Sequence, residues 1–222
     1  MLIQQNLNKI KSQLPEHVTL VAVSKTKPVS DLMEAYNAGL RIFGENKIQD
    51  IVEKHEVMPK DIEWHMIGHV QRNKVKYMAG FVRLIHGVDN LKLLIEINKQ
   101  AIKHNRVIDC LLQIKIASED SKFGMPPKDA SDFIDSKVFS ELKNIKIVGV
   151  MGMATFTENQ NQVKQEFNLL KQTFDNLKVI NTENCEMKTI SMGMSGDYKL
   201  AIACGSTMVR VGSSIFGRRN YN

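Results

Sequence analysis

The sequence is poor in cysteine, and its three cysteines form no C-x-x-C pair. Cys110, Cys185 and Cys204 are an odd, widely spaced set, which argues against a disulfide framework and a cysteine-based zinc site. No run approaches the roughly 18 apolar residues of a membrane span. The first residues, MLIQQNLNKIKSQL, have amphipathic helical spacing rather than the continuous apolar core of a signal peptide. We therefore expect a cytoplasmic protein that binds no membrane.

The sequence has no basic arm in which its excess positive charge is concentrated. Thirty Lys and Arg against 24 Asp and Glu give a net charge of +6, spread along the sequence. This balance favours a small anionic ligand and does not indicate nucleic acid. Metal is not indicated either, because His65 and His69 lie four residues apart on a predicted strand, too far for easy joint ligation. His86 is expected to be a hydrogen-bonded histidine of the protein interior.

Short apolar runs alternate regularly with stretches of helical spacing over the 222 residues. The predicted strands are 20–26, 41–46, 63–70, 83–89, 110–117, 146–154, 189–195 and 208–217. Eight strands alternating with helices predict a (β/α)₈ TIM barrel in one domain, residues 1–222, with residues 1–19 forming a helix that packs on the barrel. The alternative is a doubly wound open sheet, which usually has a glycine-rich first turn. The first turn here, SKTKPVS, has no glycine.

Helical spacing extends over residues 29–38, 91–103 and 163–175. Ser30, Asn90 and Ser195 are the predicted capping residues at helix starts, since short polar side chains accept hydrogen bonds from the first free N–H groups.

Lys25 ends the first strand on the same face as Val21 and Val23, because strand side chains alternate between faces. A lone lysine there is explained by a stem lying on apolar surface and an ammonium in water. In a barrel, however, functional groups collect at the carboxyl ends of the strands. Lys27 and Arg210 are nearby cations that would lower the pKa of Lys25 and favour the free amine that forms Schiff bases.

The ends of the last two strands have the features of a phosphate site. Ser195 is small and polar, and Gly212 lacks a side chain, so an anion could approach the backbone at both. Either residue alone is equally well explained by a helix cap or a bend. A phosphate cup facing Lys25 across the barrel mouth would suit a phosphorylated aldehyde.

Several motifs together resemble one family. AVSKTKP, FGENKIQD, WHMIGHVQRNK, SKFG, GVMGMAT and SMGMSGDYKLAIACGSTMVRVGSSIFGRR are similar to motifs of the pyridoxal 5′-phosphate (PLP) homeostasis protein family. The likeness extends from about residue 20 to residue 219. It implies a barrel like the N-terminal domain of alanine racemase, PLP as cofactor, and a role in intracellular PLP storage and delivery.

The resemblance also implies a set of cofactor-binding residues. Lys25 would form the internal aldimine, and Arg210 would face the pyridine nitrogen. The phosphate would be bound at Ser195, Gly212 and Ser213, with Met194 beside them and Asn46 near the cofactor. Lys27 and Lys122 match lysines near the site whose roles stay open. GHVQRNK replaces the commoner GPLQ-x-NK, and SKFG replaces NKxG, so the role of His69 also stays open.

No catalytic residue is predicted. An arginine is always protonated, so it must donate to the pyridine nitrogen and leaves the ring a weaker electron sink. The racemases use a tyrosine from a second domain, which we expect to be absent here because the sequence ends at Asn222. Tyr198 is expected to be a packing or surface residue, and Tyr221 does not clearly replace the missing tyrosine.

Three functions are therefore compared. The first is a monomeric PLP carrier that delivers the cofactor to PLP-requiring apoenzymes. The second is a PLP-dependent racemase, aldolase or decarboxylase acting on an amino acid. The third is a partner-binding or nucleic-acid-binding barrel with a vestigial site. The resemblance favours the carrier.

Overall fold

A central barrel of parallel strands organises the computed structural model, which describes residues 2–119, 122–180 and 182–217. The strands are Thr19–Val23 (β1), Ile42–Glu45 (β2), Glu63–Met66 (β3), Leu84–Val88 (β4), Ile108–Gln113 (β5), Ile145–Met151 (β6), Cys185–Met194 (β7) and Met208–Val211 (β8). They pair in chain order and close on themselves, with Val21 of β1 opposite Arg210 of β8. The predicted (β/α)₈ barrel is confirmed.

Helices follow the strands on the outside of the barrel. Their bounds are Leu2–Lys11 (α1), Val29–Asn37 (α2), Ile48–Val57 (α3), Leu91–Lys103 (α4), Asp129–Asp135 (α5), Lys137–Ser140 (α6), Gln160–Lys178 (α7), Tyr198–Ala203 (α8) and Ser213–Phe216 (α9), with a 3-10 helix at Arg72–Tyr77. None of the helices in the described ranges is long and apolar enough to cross a membrane.

Two apolar clusters form the core. The larger one fills the space between the sheet and the helices and includes Phe43, Trp64 and Phe167, which are fully buried. The smaller one fills the barrel interior; its members are Val21, Ile67, Leu84, Leu111, Val148, Met151 and Met208. Val21 lies inside while Ala22 lies outside, as strand alternation requires. The interior face of β1 therefore leads from Val21 through Val23 toward Lys25.

Several predicted boundaries and two predicted caps are wrong. β1 ends at Val23 rather than at residue 26, so Lys25 lies in the turn after the strand. The first helix ends at Lys11, β3 ends at Met66 rather than at residue 70, β5 ends at Gln113 rather than at residue 117, and β7 begins at Cys185 rather than at residue 189.

The last strand ends at Val211 rather than at residue 217, because Gly212 turns the chain into α9. Ser30 is not a cap, since α2 already begins at Val29 after Pro28. Ser195 is not a cap either, because α8 begins at Tyr198.

The predicted cap at Asn90 is confirmed, since its side chain accepts a hydrogen bond from the Leu93 N–H at the start of α4. Tyr198 is buried, and its hydroxyl donates to Gln13 Oε1 at 2.7 Å, as expected of a packing residue. Tyr221 lies outside the described residues.

Candidate functional site

A cavity of about 600 Å³ opens at the carboxyl ends of the strands, where the interior apolar cluster ends. All seven residues predicted to bind the cofactor line it: Lys25, Asn46, Met194, Ser195, Arg210, Gly212 and Ser213. A larger groove of about 1080 Å³ opens between α1 and residues 195–200, but neither Lys25 nor Arg210 contributes to it. The smaller cavity is therefore the candidate site.

A tight turn carries Lys25 into this cavity. The Lys27 N–H donates to the Ser24 carbonyl at 3.1 Å, and Thr26 between them has a φ of 63°. The Lys27 ammonium also lines the cavity and donates to the Phe216 carbonyl at 2.8 Å, which ties this turn to the end of α9. The first and last cavity-lining segments are thus joined directly.

A buried ion pair lies behind the turn. The Glu45 carboxylate accepts from Lys54 Nζ and from Ser24 Oγ, each at 2.6 Å. Lys54 also donates to the Ser24 carbonyl at 2.9 Å. Burial raises the pKa of Glu45, and Lys54 and Ser24 partly offset that increase. This pair fixes the backbone immediately before Lys25.

The loops after β7 and β8 are connected by one hydrogen bond. Ser195 Oγ accepts from the Gly212 N–H at 3.1 Å. Asp197 holds the first loop in shape, because its carboxylate accepts from the Met194 N–H at 2.5 Å. Burial raises the pKa of Asp197, and the Met194 N–H and Arg210 oppose that shift. Since β1 and β8 are neighbours, Gly212 and Lys25 follow adjacent strands rather than facing each other across the mouth.

The Gly212 backbone packs closely against β1. A Cβ added at Gly212 would lie 3.1 Å from the Val23 carbonyl oxygen and 3.2 Å from the Val23 Cβ. A side chain here would require the loop or β1 to shift by a few tenths of an ångström. The glycine therefore favours the close approach of the two strands that end at the cavity.

Arg210 is the buried cation of the cavity, with only 4% of its surface exposed. Its Nη1 donates to the Ser191 carbonyl at 2.8 Å and to Ser191 Oγ at 2.6 Å, and its Nη2 donates to the Gly152 carbonyl at 3.1 Å. Burial lowers its pKa to about 10. The guanidinium is therefore fixed in position and still charged at neutral pH.

The rim of the cavity is aromatic on one side. His69 stacks on Phe123 with ring centroids 4.4 Å apart, and Gln113 Nε2 donates to the Phe123 carbonyl at 3.0 Å. Phe156 also lines the rim and is 94% exposed. Lys122 is not among the lining residues, and its ammonium lies 3.5 Å from Glu119.

Comparison with known proteins agrees with this geometry. The model of the alanine racemase N-terminal domain family matches residues 2–220. A pyridoxal phosphate homeostasis protein of Aquifex aeolicus is 39% identical over 91% of this chain and 87% of its own length. The chain belongs to the pyridoxal phosphate homeostasis protein family.

Solved structures support the assignment to the homeostasis protein family. PipY of Synechococcus elongatus, solved with PLP bound, superposes with a TM-score of 0.87 and 32% identity over 97% of this chain and all of that one. An alanine racemase of Clostridium difficile superposes with a TM-score of 0.81 over 98% of this chain but only 56% of its own length. At 16% identity, the racemase shows likeness of fold alone.

Sequence reasoning missed the residues that support the site. Asp197, Ser191 and the Glu45 and Lys54 pair were not singled out, although they hold cavity-lining segments in place. A signal existed for Glu45, since an acidic residue inside an apolar strand needs a buried partner. Nothing in the local sequence identifies Lys54, nine positions later, as that partner.

Proposed function

We propose that this chain binds PLP in the cavity and holds it covalently on the Lys25 amine. The observation that carries the proposal is the combination, in one cavity, of the Lys25 amine, the fixed Arg210 guanidinium and backbone N–H groups at two strand-end loops. When bound, PLP supplies an aldehyde that reacts with amines and a ring that withdraws electrons.

The residues present fit each part of that ligand. Lys27 supplies positive charge in the cavity lining, and the N–H groups at the start of α9 lack partners within the helix, as at every helix start. These groups suit a phosphate. Arg210 can only donate hydrogen bonds, so the ligand atom facing it must be an acceptor, which an unprotonated pyridine nitrogen is. The cavity of about 600 Å³ is large enough for a ligand of this size.

The same chemistry favours a carrier over an enzyme. A donor at the pyridine nitrogen leaves the ring neutral and weakens it as an electron sink. Acid and base catalysis also needs a positioned proton carrier on each working face. Within the described residues the cavity lining includes no tyrosine, and the Tyr198 hydroxyl is engaged by Gln13. The chain is therefore proposed to store PLP and release it to apoenzymes.

The cellular setting completes the proposal. The three cysteines are buried and unpaired, which suits the reducing cytoplasm. The exposed rim at Phe156 leaves the cavity accessible from solvent, so a monomer can load and release PLP without opening an interface.

The test is the visible spectrum of protein incubated with PLP, followed by borohydride reduction and mass mapping. We expect a yellow protein with the added mass on the Lys25 peptide. Lys25→Ala should abolish covalent attachment and leave the fold intact, whereas Lys122→Ala, outside the cavity lining, is the matched control. A fixed cofactor on another peptide, or an unmodified Lys25, would refute the assignment.

Turnover is tested separately by adding amino acids to the loaded protein. A carrier exchanges at most one equivalent of amino acid with each bound PLP, because nothing regenerates the reactive site. Accumulation of racemised, cleaved or decarboxylated product beyond one equivalent would instead establish a PLP-dependent enzyme.

A further inference from the structure

A chain of polar side chains crosses the apolar interior of the barrel and ends at Arg210. His65 Nδ1 lies 3.1 Å from His86 Nε2, and His86 Nδ1 lies 3.1 Å from Ser191 Oγ. Ser191 Oγ in turn accepts from Arg210 Nη1 at 2.6 Å. All four residues are buried, so these hydrogen bonds are shielded from water and costly to break.

Arg210 determines which atom donates in each hydrogen bond of this series of side chains. Arg210 can only donate, so Ser191 Oγ receives one proton and retains its own for donation. Among the described residues, the acceptor left for that proton is His86 Nδ1. His86 must then carry its proton on Nε2 and donate it to His65 Nδ1. His65 therefore also carries its proton on Nε2.

Burial keeps both rings neutral, as this arrangement requires. Burial, with the nearby Arg83, lowers the pKa of His65 to about 3. Burial, together with His65 and Arg210, lowers the pKa of His86 well below its ordinary value. Each ring thus carries one N–H proton, and the neighbouring hydrogen bond determines which of the two nitrogens carries it.

We propose that His65, His86 and Ser191 are positioning residues for the cofactor, which fix the Arg210 guanidinium so that its remaining N–H groups point at the ligand's ring acceptor. This inference rests on the proposed function. In the part of the chain that the structure describes, Nε and the second hydrogen of Nη2 have no protein acceptor, while Nη1 is fully engaged by Ser191. Arg210 lines the cavity, so these donors are available there.

The first test needs no cofactor. Nitrogen-15 NMR of the unloaded protein should show His65 and His86 as neutral rings protonated on Nε2, unchanged from pH 8 to pH 5.5. Protonation of His86 on Nδ1, or a doubly protonated ring at pH 5.5, would overturn the inference whatever the protein binds.

The second test compares the affinities of PLP and of 1-deazapyridoxal 5′-phosphate, which has carbon in place of the ring nitrogen. The wild-type protein should prefer PLP by about 10-fold to 100-fold, the range for a hydrogen bond to a charged group. Ser191→Ala and His86→Leu should lower that preference at least fivefold, mainly by weakening PLP. His86→Asn keeps an acceptor near the Nδ1 position and should retain most of the preference for PLP.

The control is His55→Leu, because His55 stacks on Phe81 outside the barrel and should leave the preference unchanged. If the wild-type protein binds neither compound, the proposed function fails. If it prefers PLP and both Ser191→Ala and His86→Leu keep the full preference, the positioning role fails while the function stands. Should His86→Leu not fold, Ser191→Ala and the NMR result still decide.

Discussion

Thr26 is a β-branched residue in a backbone conformation that favours glycine or asparagine. Its φ of 63° lies in the left-handed region, where a side chain of this kind costs about 1–3 kcal/mol. The conformation is maintained by the turn from Ser24 to Lys27 and by the contacts of Lys27 with α9. It is the strained point of the described chain nearest to Lys25.

Relieving this strain should stabilise the protein. Asparagine tolerates the left-handed region, so we expect Thr26→Asn to raise the free energy of unfolding by about 1 kcal/mol in urea denaturation. Thr26→Val keeps the branched side chain and should give no increase. A lower stability for Thr26→Asn than for Thr26→Val would show that the turn is not strained.

At the scale of elements, one ion pair holds β1, β2 and α3 together. Glu45 ends β2, Lys54 belongs to α3, and both contact Ser24 just after β1. The pair is almost fully buried, and breaking a buried pair leaves an uncompensated charge. The position of Lys25 therefore depends on a lysine of the neighbouring helix.

Lys54→Met should destabilise the protein by about 3–5 kcal/mol at pH 8, and by less at pH 5. Burial already raises the pKa of Glu45 above its ordinary 4.5, and loss of Lys54 raises it further. Glu45 then binds its proton more tightly in the folded protein than in the unfolded chain. The free energy of unfolding therefore falls as the pH rises from 4.5 through the raised pKa.

Denaturation of Lys54→Met at the two pH values measures this difference. Lys103→Met, at the exposed end of α4, should change little at either pH. An equal loss for Lys54→Met at pH 5 and pH 8 would mean that Glu45 is not the group left uncompensated.

Element by element, the strands were readable from the sequence because they are apolar runs between helical stretches. The predictions failed at positions where tertiary contacts determine the local structure. Ser195 has the residue type of a cap, but Asp197 shapes the loop and leaves Ser195 free to accept from Gly212, seventeen residues later. Val211 and Ile215 are both apolar and buried, so the turn between them at Gly212 is not marked by hydropathy.

The candidate site was likewise predictable only in part from the sequence. The seven predicted cofactor-binding residues, taken from family motifs and strand ends, all line one cavity, whereas other lining residues such as Gln113 and Phe156 were not singled out. The histidines and Ser191 behind Arg210 come from three separate strands, so no local pattern relates them. Only the register of the closed barrel brings them together.

For the whole molecule, we propose that residues 1–222 fold as one unit in which the first helix packs on the barrel. Leu7 of α1 is fully buried in the main apolar cluster. Asn6 donates to the Ile215 carbonyl of α9 at 3.1 Å. The first helix thus packs on the segment that carries Ser213.

Leu7→Ala should cost about 2–5 kcal/mol and lower the midpoints of circular dichroism and tryptophan fluorescence together. Trp64 reports the barrel wall, so a common shift means that α1 and the barrel unfold as one. Gln5→Ala, on the exposed face of α1, should stay within about 0.5 kcal/mol. Separate midpoints for the two probes would show that α1 is an independent unit.

Closure of the barrel between β1 and β8 has a consequence for biosynthesis. Lys25 emerges early from the ribosome, whereas Arg210, Gly212 and Ser213 are added last among the site residues. At about 5–20 residues per second, the interval is on the order of ten to forty seconds. Until β8 pairs with β1, Lys25 is one surface amine among many on the nascent chain. On the proposed function, we therefore expect cofactor loading to follow closure of the barrel.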